Sequence, residues 1–302
     1  MNSNSKKLIA AVAALQILLY HCWMPVFGYG TFFGSIERFL IASTYYGVDV
    51  FFFISAYSLV SRPVDDYLRF IGNRALKLLP LFFIALLTGR FLWFIPAIMV
   101  MYLALPPLHR LCRKMPVVSL LILIVSWAGA VYLILGLIRP ASDVGIFLFR
   151  IPSMILGAYS VGVIEKMTSR QALLWGAALL AVGTAAVYGF GYMNRLNVPF
   201  RGTFYLTGIP VMLGTVLLLN LLGSKRIPRF IERFGGMTLE LYFLQMMFGT
   251  FLVGVLFRLT GSRILTNALT LAVIICASYW LKKINDVVMK TMLPNSPAMS
   301  SR

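Results

Sequence analysis

A few side chains stand out because their types and surroundings could do chemistry. His21, in LLYHCWMP, is one of only two histidines in the 302 residues; the other, His109, sits beside Arg110 at an expected helix end and reads as interfacial. An imidazole titrates nearest neutral pH, so His21 could act as a general base or a nucleophile. It could equally be a ring hydrogen-bonded to a neighbouring helix. Asp49, in YYGVDVFFFISAY, stands beside an unbroken run of apolar residues. Such an acid needs an arginine, a histidine or a helix N-terminus beside it. Either it caps its helix or it orients His21, as carboxylates orient catalytic imidazoles. Arg74 and Lys77, in GNRALKLLP, are three apart and share a helix face ahead of Pro80. They either anchor topology or seat phosphate groups arriving from the cytoplasm. Arg150, in FLFRIPSMILG, carries a guanidinium among apolar neighbours and needs a partner. It either snorkels to the interface or lines a polar cavity, where Pro152 could free nearby carbonyls.

The elements that position these groups must be membrane helices. The chain is 60% hydrophobic and only 12% charged, about half the charge of a soluble domain. That excludes a solution-exposed fold, a disordered chain and a coiled coil. The net charge of +18 would suggest nucleic acid in a soluble chain. Here the bases lie between apolar runs, so topology explains them and no nucleic-acid partner is expected. A span needs about 20 mostly apolar residues. About ten stretches qualify: 8–28, 46–61, 70–88, 91–109, 116–138, 144–164, 172–192, 203–222, 237–257 and 264–281. They do not alternate polar and apolar residues, which argues against a barrel. The tightest junction is Thr88-Gly89-Arg90.

The expectation is therefore an all-α, polytopic membrane helical bundle over residues 1–290. Most of the 27 Lys and Arg residues fall on one side if both termini are cytoplasmic and the number of spans is even. The first stretch reads as a retained span, because no small-residue cleavage site follows it. Residues 291–302 read as a disordered cytoplasmic tail. His21, about 20 Å along its helix from Leu8, falls in the outer half with Asp49. Glu240 and Gln245, in TLELYFLQ, add two polar groups to the ninth span, where Glu240 could pair with Arg233 or Lys225. The three cysteines have no paired spacing, so neither a disulfide framework nor a metal centre is expected.

Taken in order, these segments resemble the acyltransferase 3 family of integral membrane O-acyltransferases. LQILLYH is similar to that family's first-helix segment ending in a functional histidine, which corresponds to His21. GVDVFFFISAYSL is close to its Gly-Val-Asp-Leu-Phe-Phe-x-x-Ser-Gly-Tyr signature, through Gly47, Val48, Asp49, Phe51, Phe52, Ser55 and Tyr57. Arg74, Lys77 and Pro80 match a basic pattern ahead of a proline. The resemblance extends over most of the chain, through LWFIPAIMVMYLALPPL, RIPSMILG and MTLELYFLQ.

The resemblance implies about ten spans in the plasma membrane of a bacterium, and transfer of an acyl group from acyl-CoA to a hydroxyl of an envelope or exported polysaccharide. The expected donor is acetyl-CoA, and no bound cofactor is expected. Arg74 and Lys77 would hold the coenzyme A phosphates. His21, supported by Asp49, would deprotonate the acceptor or carry the acyl group, and Arg150 would stabilise charge on the thioester oxygen. The sequence departs from the family where a first-helix arginine usually stands, here Ala10-Ala11, and at Ala56 in place of glycine. The long segment usual before the fourth helix is nearly absent at Thr88–Arg90. The alternative class is a non-catalytic transporter, flippase or assembly partner for a lipid-linked glycan on the same scaffold.

Overall fold

A computed structural model describes residues 1–28, 30–61, 66–89, 92–114, 116–137, 143–195, 204–225 and 227–292. The described residues form helices and no strand. In order these are α1 (Ser3–Cys22), α2 (Phe32–Ser43), α3 (Gly47–Val60), α4 (Tyr67–Leu87), α5 (Phe94–Lys114), α6 (Pro116–Leu137) and α7 (Asp143–Tyr159). There follow α8 (Val161–Lys166), α9 (Ser169–Arg195), α10 (Phe204–Gly223), α11 (Arg229–Gly236), α12 (Thr238–Leu244), α13 (Thr250–Thr260) and α14 (Arg263–Met292). Each of the ten apolar stretches is largely helical over its described residues. Apolar runs of this length favour helix because each backbone group finds its partner within the segment.

Five helical segments among the described residues are long and apolar enough to cross a membrane: Phe32–Val60, Tyr67–Leu87, Ser169–Gly189, Thr238–Thr260 and Arg263–Val288. Shorter apolar helices cover Phe94–Ala104, Val117–Tyr132, Val144–Tyr159 and Thr207–Gly223. The protein is a multi-pass membrane protein. Two local differences from the sequence reading have clear causes. The interval before Tyr46, where the sequence suggests no element, forms α2 and a 3-10 turn (Thr44–Tyr46) leading into α3. Its run FFGSIERFLIAS is apolar enough to fold as helix despite Glu37 and Arg38. At the other end, α14 continues to Met292; the rest of the expected tail, residues 293–302, lies outside the described residues, as does Arg90 of the tight junction.

The chain divides into two compact units. The first comprises Met1–Ile17, Ser43–Tyr67 and Trp93–Gly236. Its core is built on α3, whose Val50, Phe53, Ile54 and Tyr57 pack with Ile9, Ala13, Ile164, Met212 and Val216. A helix apolar on nearly all sides is buried on all sides. Phe52, fully buried, meets the rings of Trp93, Phe94 and Phe147 with centroids 5.3–6.5 Å apart. The pairs α3–α7 and α9–α10 carry the tightest packing of this unit. Gly157 on α7 lets the α3 backbone approach: a Cβ there would lie 2.9 Å from Phe53 Cα and closer still to its carbonyl oxygen. Backbone cannot step aside as a side chain can. Gly157→Ala is therefore expected to force α3 and α7 apart, at about 1–3 kcal/mol. A lower melting temperature in detergent checks this, and an unchanged one contradicts it.

The second unit comprises Leu18–Ala42, Leu68–Leu92 and Met237–Arg302. Here α12 and α13, joined by a π-helical turn (Gln245–Gly249), run antiparallel to α14. The residues of α4 that face inward in this unit include Leu78, Leu81 and Ala85.

Candidate active site

In the first unit, one buried charge pair dominates. Asp49 lies in the first turn of α3 and is fully buried; Arg150 on α7 is 3% exposed. Arg150 Nη1 donates to Asp49 Oδ2 in an ion pair. Ser153 Oγ, three residues on and on the same helix face, donates to Asp49 Oδ1 at 2.8 Å. Arg150 Nη2 reaches the Tyr45 carbonyl at 3.4 Å, and its guanidinium stands 5.4 Å from the centre of the Tyr45 ring. The α3–α7 contact made possible by Gly157 is what brings these groups together.

Of the three partners considered for Asp49, the structure supplies an arginine. Both carboxylate oxygens are occupied, one by Arg150 and one by Ser153. The guanidinium neither snorkels nor stays unpaired; it is fixed in direction and its charge is balanced. Tyr57, one of the residues matching the family signature, donates to Glu165 Oε1 at 3.2 Å, and Lys6 lies over its ring. In the same unit Lys7 pairs with Glu232, and this hydrogen bond holds the Glu232 carboxyl below its ordinary range.

The other expected site residues lie in the second unit. His21 is in the last turn of α1, exposed, with its ring edge-on to Tyr20 at 5.1 Å. The segment that follows it is held by a dense set of hydrogen bonds. Glu37 on α2 accepts from Trp23 Nε1 at 2.8 Å, from the Val26 backbone N–H at 2.8 Å and from that of Phe27 at 2.9 Å. Asn267 on α14 clamps Met24 from both sides: its Oδ1 accepts from the Met24 N–H at 2.9 Å and its Nδ2 donates to the Met24 carbonyl at 2.8 Å. Arg263 donates to the Pro25 carbonyl at 3.1 Å. This clamp fixes how the chain leaves α1 just beyond His21.

Sequence reasoning missed Glu37 and Asn267. The available signal was an acid inside an apolar run, close after a proline that stops the preceding helix. Glu240 also differs from expectation: Asn285 on α14 donates to it at 3.1 Å, since the antiparallel pairing sets the two opposite one another.

Arg74 and Lys77 lie on α4. Arg74 is exposed, with its guanidinium 5.3 Å from the centre of the Phe70 ring, and Lys77 is half-buried. At the far end of α4, Thr88 Oγ1 points at Met247 Sδ in the π turn, 3.9 Å away. Cys22, beside His21, packs on Gly249 of the same turn. The basic pair therefore stands about 15–20 Å along α4 from the turn against which the end of α1 rests, at 1.5 Å per residue. Among the described residues no three His, Cys, Asp or Glu side chains gather to hold a metal ion.

The family model described as an acyltransferase domain, that of the acyltransferase 3 family, matches residues 8–89 and 90–283. Comparison with curated proteins and with solved structures gives no match.

Proposed function

Because the chain belongs to the acyltransferase 3 family and is an acyltransferase, we propose that it moves an acetyl group from acetyl-CoA to a hydroxyl of an envelope or exported polysaccharide, as an O-acyltransferase of about ten spans. Both termini face the cytoplasm in this reading, and the membrane is the plasma membrane of a bacterium.

The observation that carries the reading is the layout of the second unit. An exposed imidazole ends α1, and a pair of cations stands on α4 about 15–20 Å along that helix from the turn packed against the α1 end. An elongated donor with phosphates at one end and a thioester at the other suits such a separation. Arg74 and Lys77 bind the phosphates through charge-assisted hydrogen bonds. His21 takes the proton of the acceptor hydroxyl. The hydroxyl oxygen attacks the thioester carbonyl, the C–S bond breaks, and coenzyme A leaves as the thiol once a proton is returned to its sulfur. An acyl group carried briefly on His21 divides the same reaction into two steps. Within the first unit, Asp49 and Ser153 fix the direction of the Arg150 guanidinium, which suits the charge-stabilising role expected of it. In this scheme Asp49 acts first by holding Arg150.

The test follows labelled acetyl-CoA into polysaccharide in membranes that contain the protein. Transfer dependent on the protein supports the reading, and none contradicts it. Replacing both Arg74 and Lys77 by alanine is expected to weaken acetyl-CoA binding about 10²–10⁴-fold with the fold retained, since each of two charged hydrogen bonds is worth about 1.5–3 kcal/mol. Titration in detergent checks this; equal affinity removes the pair from donor binding.

A further inference from the structure

Gln245 is 3% exposed and its Oε1 has no hydrogen-bond partner. It is the first residue of the π-helical turn Gln245–Gly249, which interrupts the α12–α13 helix. Such turns are rare and recur at functional sites. Thr270 on α14, fully buried, also carries an oxygen without a partner. On these antiparallel helices the two oxygens lie to opposite sides of the contact between Gly249 and Ile274. A Cβ on Gly249, one turn after Gln245, would lie 2.5 Å from Cys22 Sγ and 4.0 Å from Ile274 Cδ1, and Ile274 is one turn after Thr270.

Several other buried polar groups along this helix pair have partners. Thr266 bonds Thr260 at 3.0 Å, Ser278 donates to the Ile274 carbonyl at 2.7 Å, and Asn285 donates to Glu240. Buried oxygens without donors are costly, and most costly where no water can replace the missing partner. Gln245 opens the turn on which the residue after His21 packs. Glycine at position 249 is what lets Cys22 come so close.

We propose that Gln245 is a positioning and specificity residue of the acyl-transfer site, its carboxamide oxygen receiving an N–H or O–H group of a substrate. The inference rests on the proposed acyl transfer. The donor arm of acetyl-CoA offers amide N–H groups and a hydroxyl, and a glycan acceptor offers hydroxyls; both present the same chemistry to the oxygen.

Gln245→Met keeps the length of the side chain and removes the acceptor. Initial rates are measured with labelled acetyl-CoA and envelope polysaccharide, each varied in turn, and the melting temperature is measured in detergent without substrate. The expected result is a loss of about 10-fold in kcat/KM with a melting temperature equal to or above that of the unaltered protein. A rise in KM for acetyl-CoA assigns the contact to the donor arm, and a rise for the polysaccharide assigns it to the acceptor. Gln245→Glu, which keeps an oxygen in place, restores part of the loss. An unchanged kcat/KM overturns the inference. So does a loss accompanied by a lower melting temperature, which would mark Gln245 as packing. If the unaltered protein transfers acetyl and His21→Ala does not, while Gln245→Met matches the unaltered protein, this inference alone falls. If the unaltered protein transfers nothing, the proposed function falls and takes this inference with it.

Discussion

His21→Ala is expected to lower acyl transfer by about 10²–10⁴-fold, the range contributed by one well-placed general base. The fold should survive. The ring is exposed and its aromatic contact is with its own neighbour Tyr20. The clamp that shapes the following segment runs through Trp23, Met24, Pro25, Val26 and Phe27, and does not use the imidazole. Loss of rate with an unaltered melting temperature is therefore the signature of a reacting group. The unaltered protein should also slow as pH falls, because only the neutral imidazole accepts a proton. Initial rates with labelled acetyl-CoA check both points. Transfer that persists in His21→Ala removes the ring from the mechanism.

The second large effect is expected at the buried ion pair. Arg150→Met alone leaves the Asp49 carboxylate without its cation in a site closed to water, and Asp49→Leu leaves the guanidinium without its counter-charge. Each single change should destabilise the protein by about 3–5 kcal/mol, because breaking one side of a buried pair strands the other charge. Replacing both with apolar residues of similar volume should recover most of that stability. Transfer should not recover with it if the guanidinium meets the reacting thioester. The double variant thus separates two roles that the single variants confuse. Melting temperature and initial rate, measured on all three, decide between them. A double variant that is both stable and active would make Asp49 and Arg150 purely structural.

The helices were legible in the sequence because lipid imposes a severe rule on backbone polar groups, so runs such as PVVSLLILIVSWAGAVYLILGL admit one local structure. The family was legible through GVDVFFFISAYSL, and the family model matching residues 8–89 and 90–283 agrees with it. The need of Asp49 for a partner was also readable; which partner it takes was not. Spacing along one helix says nothing of the close α3–α7 approach at Gly157, and that approach selects Arg150 and Ser153. Likewise no periodicity reveals that Glu37 turns inward to collect donors from Trp23, Val26 and Phe27. Helix α2 escaped notice because its apolar run is short and carries an acid beside a base. The partner of Glu240 was misjudged for a related reason. Bases close in sequence are visible to the eye, whereas the antiparallel register of α12 and α14 that delivers Asn285 is set by packing.

Glu37 grips the stretch beyond His21 mostly through main-chain amides, at Val26 and Phe27, and through one indole at Trp23. The conformation of that stretch is consequently written in a distant carboxylate, leaving the identities of Val26 and Phe27 little constrained by the bonds themselves. Descendants of this gene could drift at both places without disturbing the geometry, provided that neither became proline, which has no amide hydrogen to give.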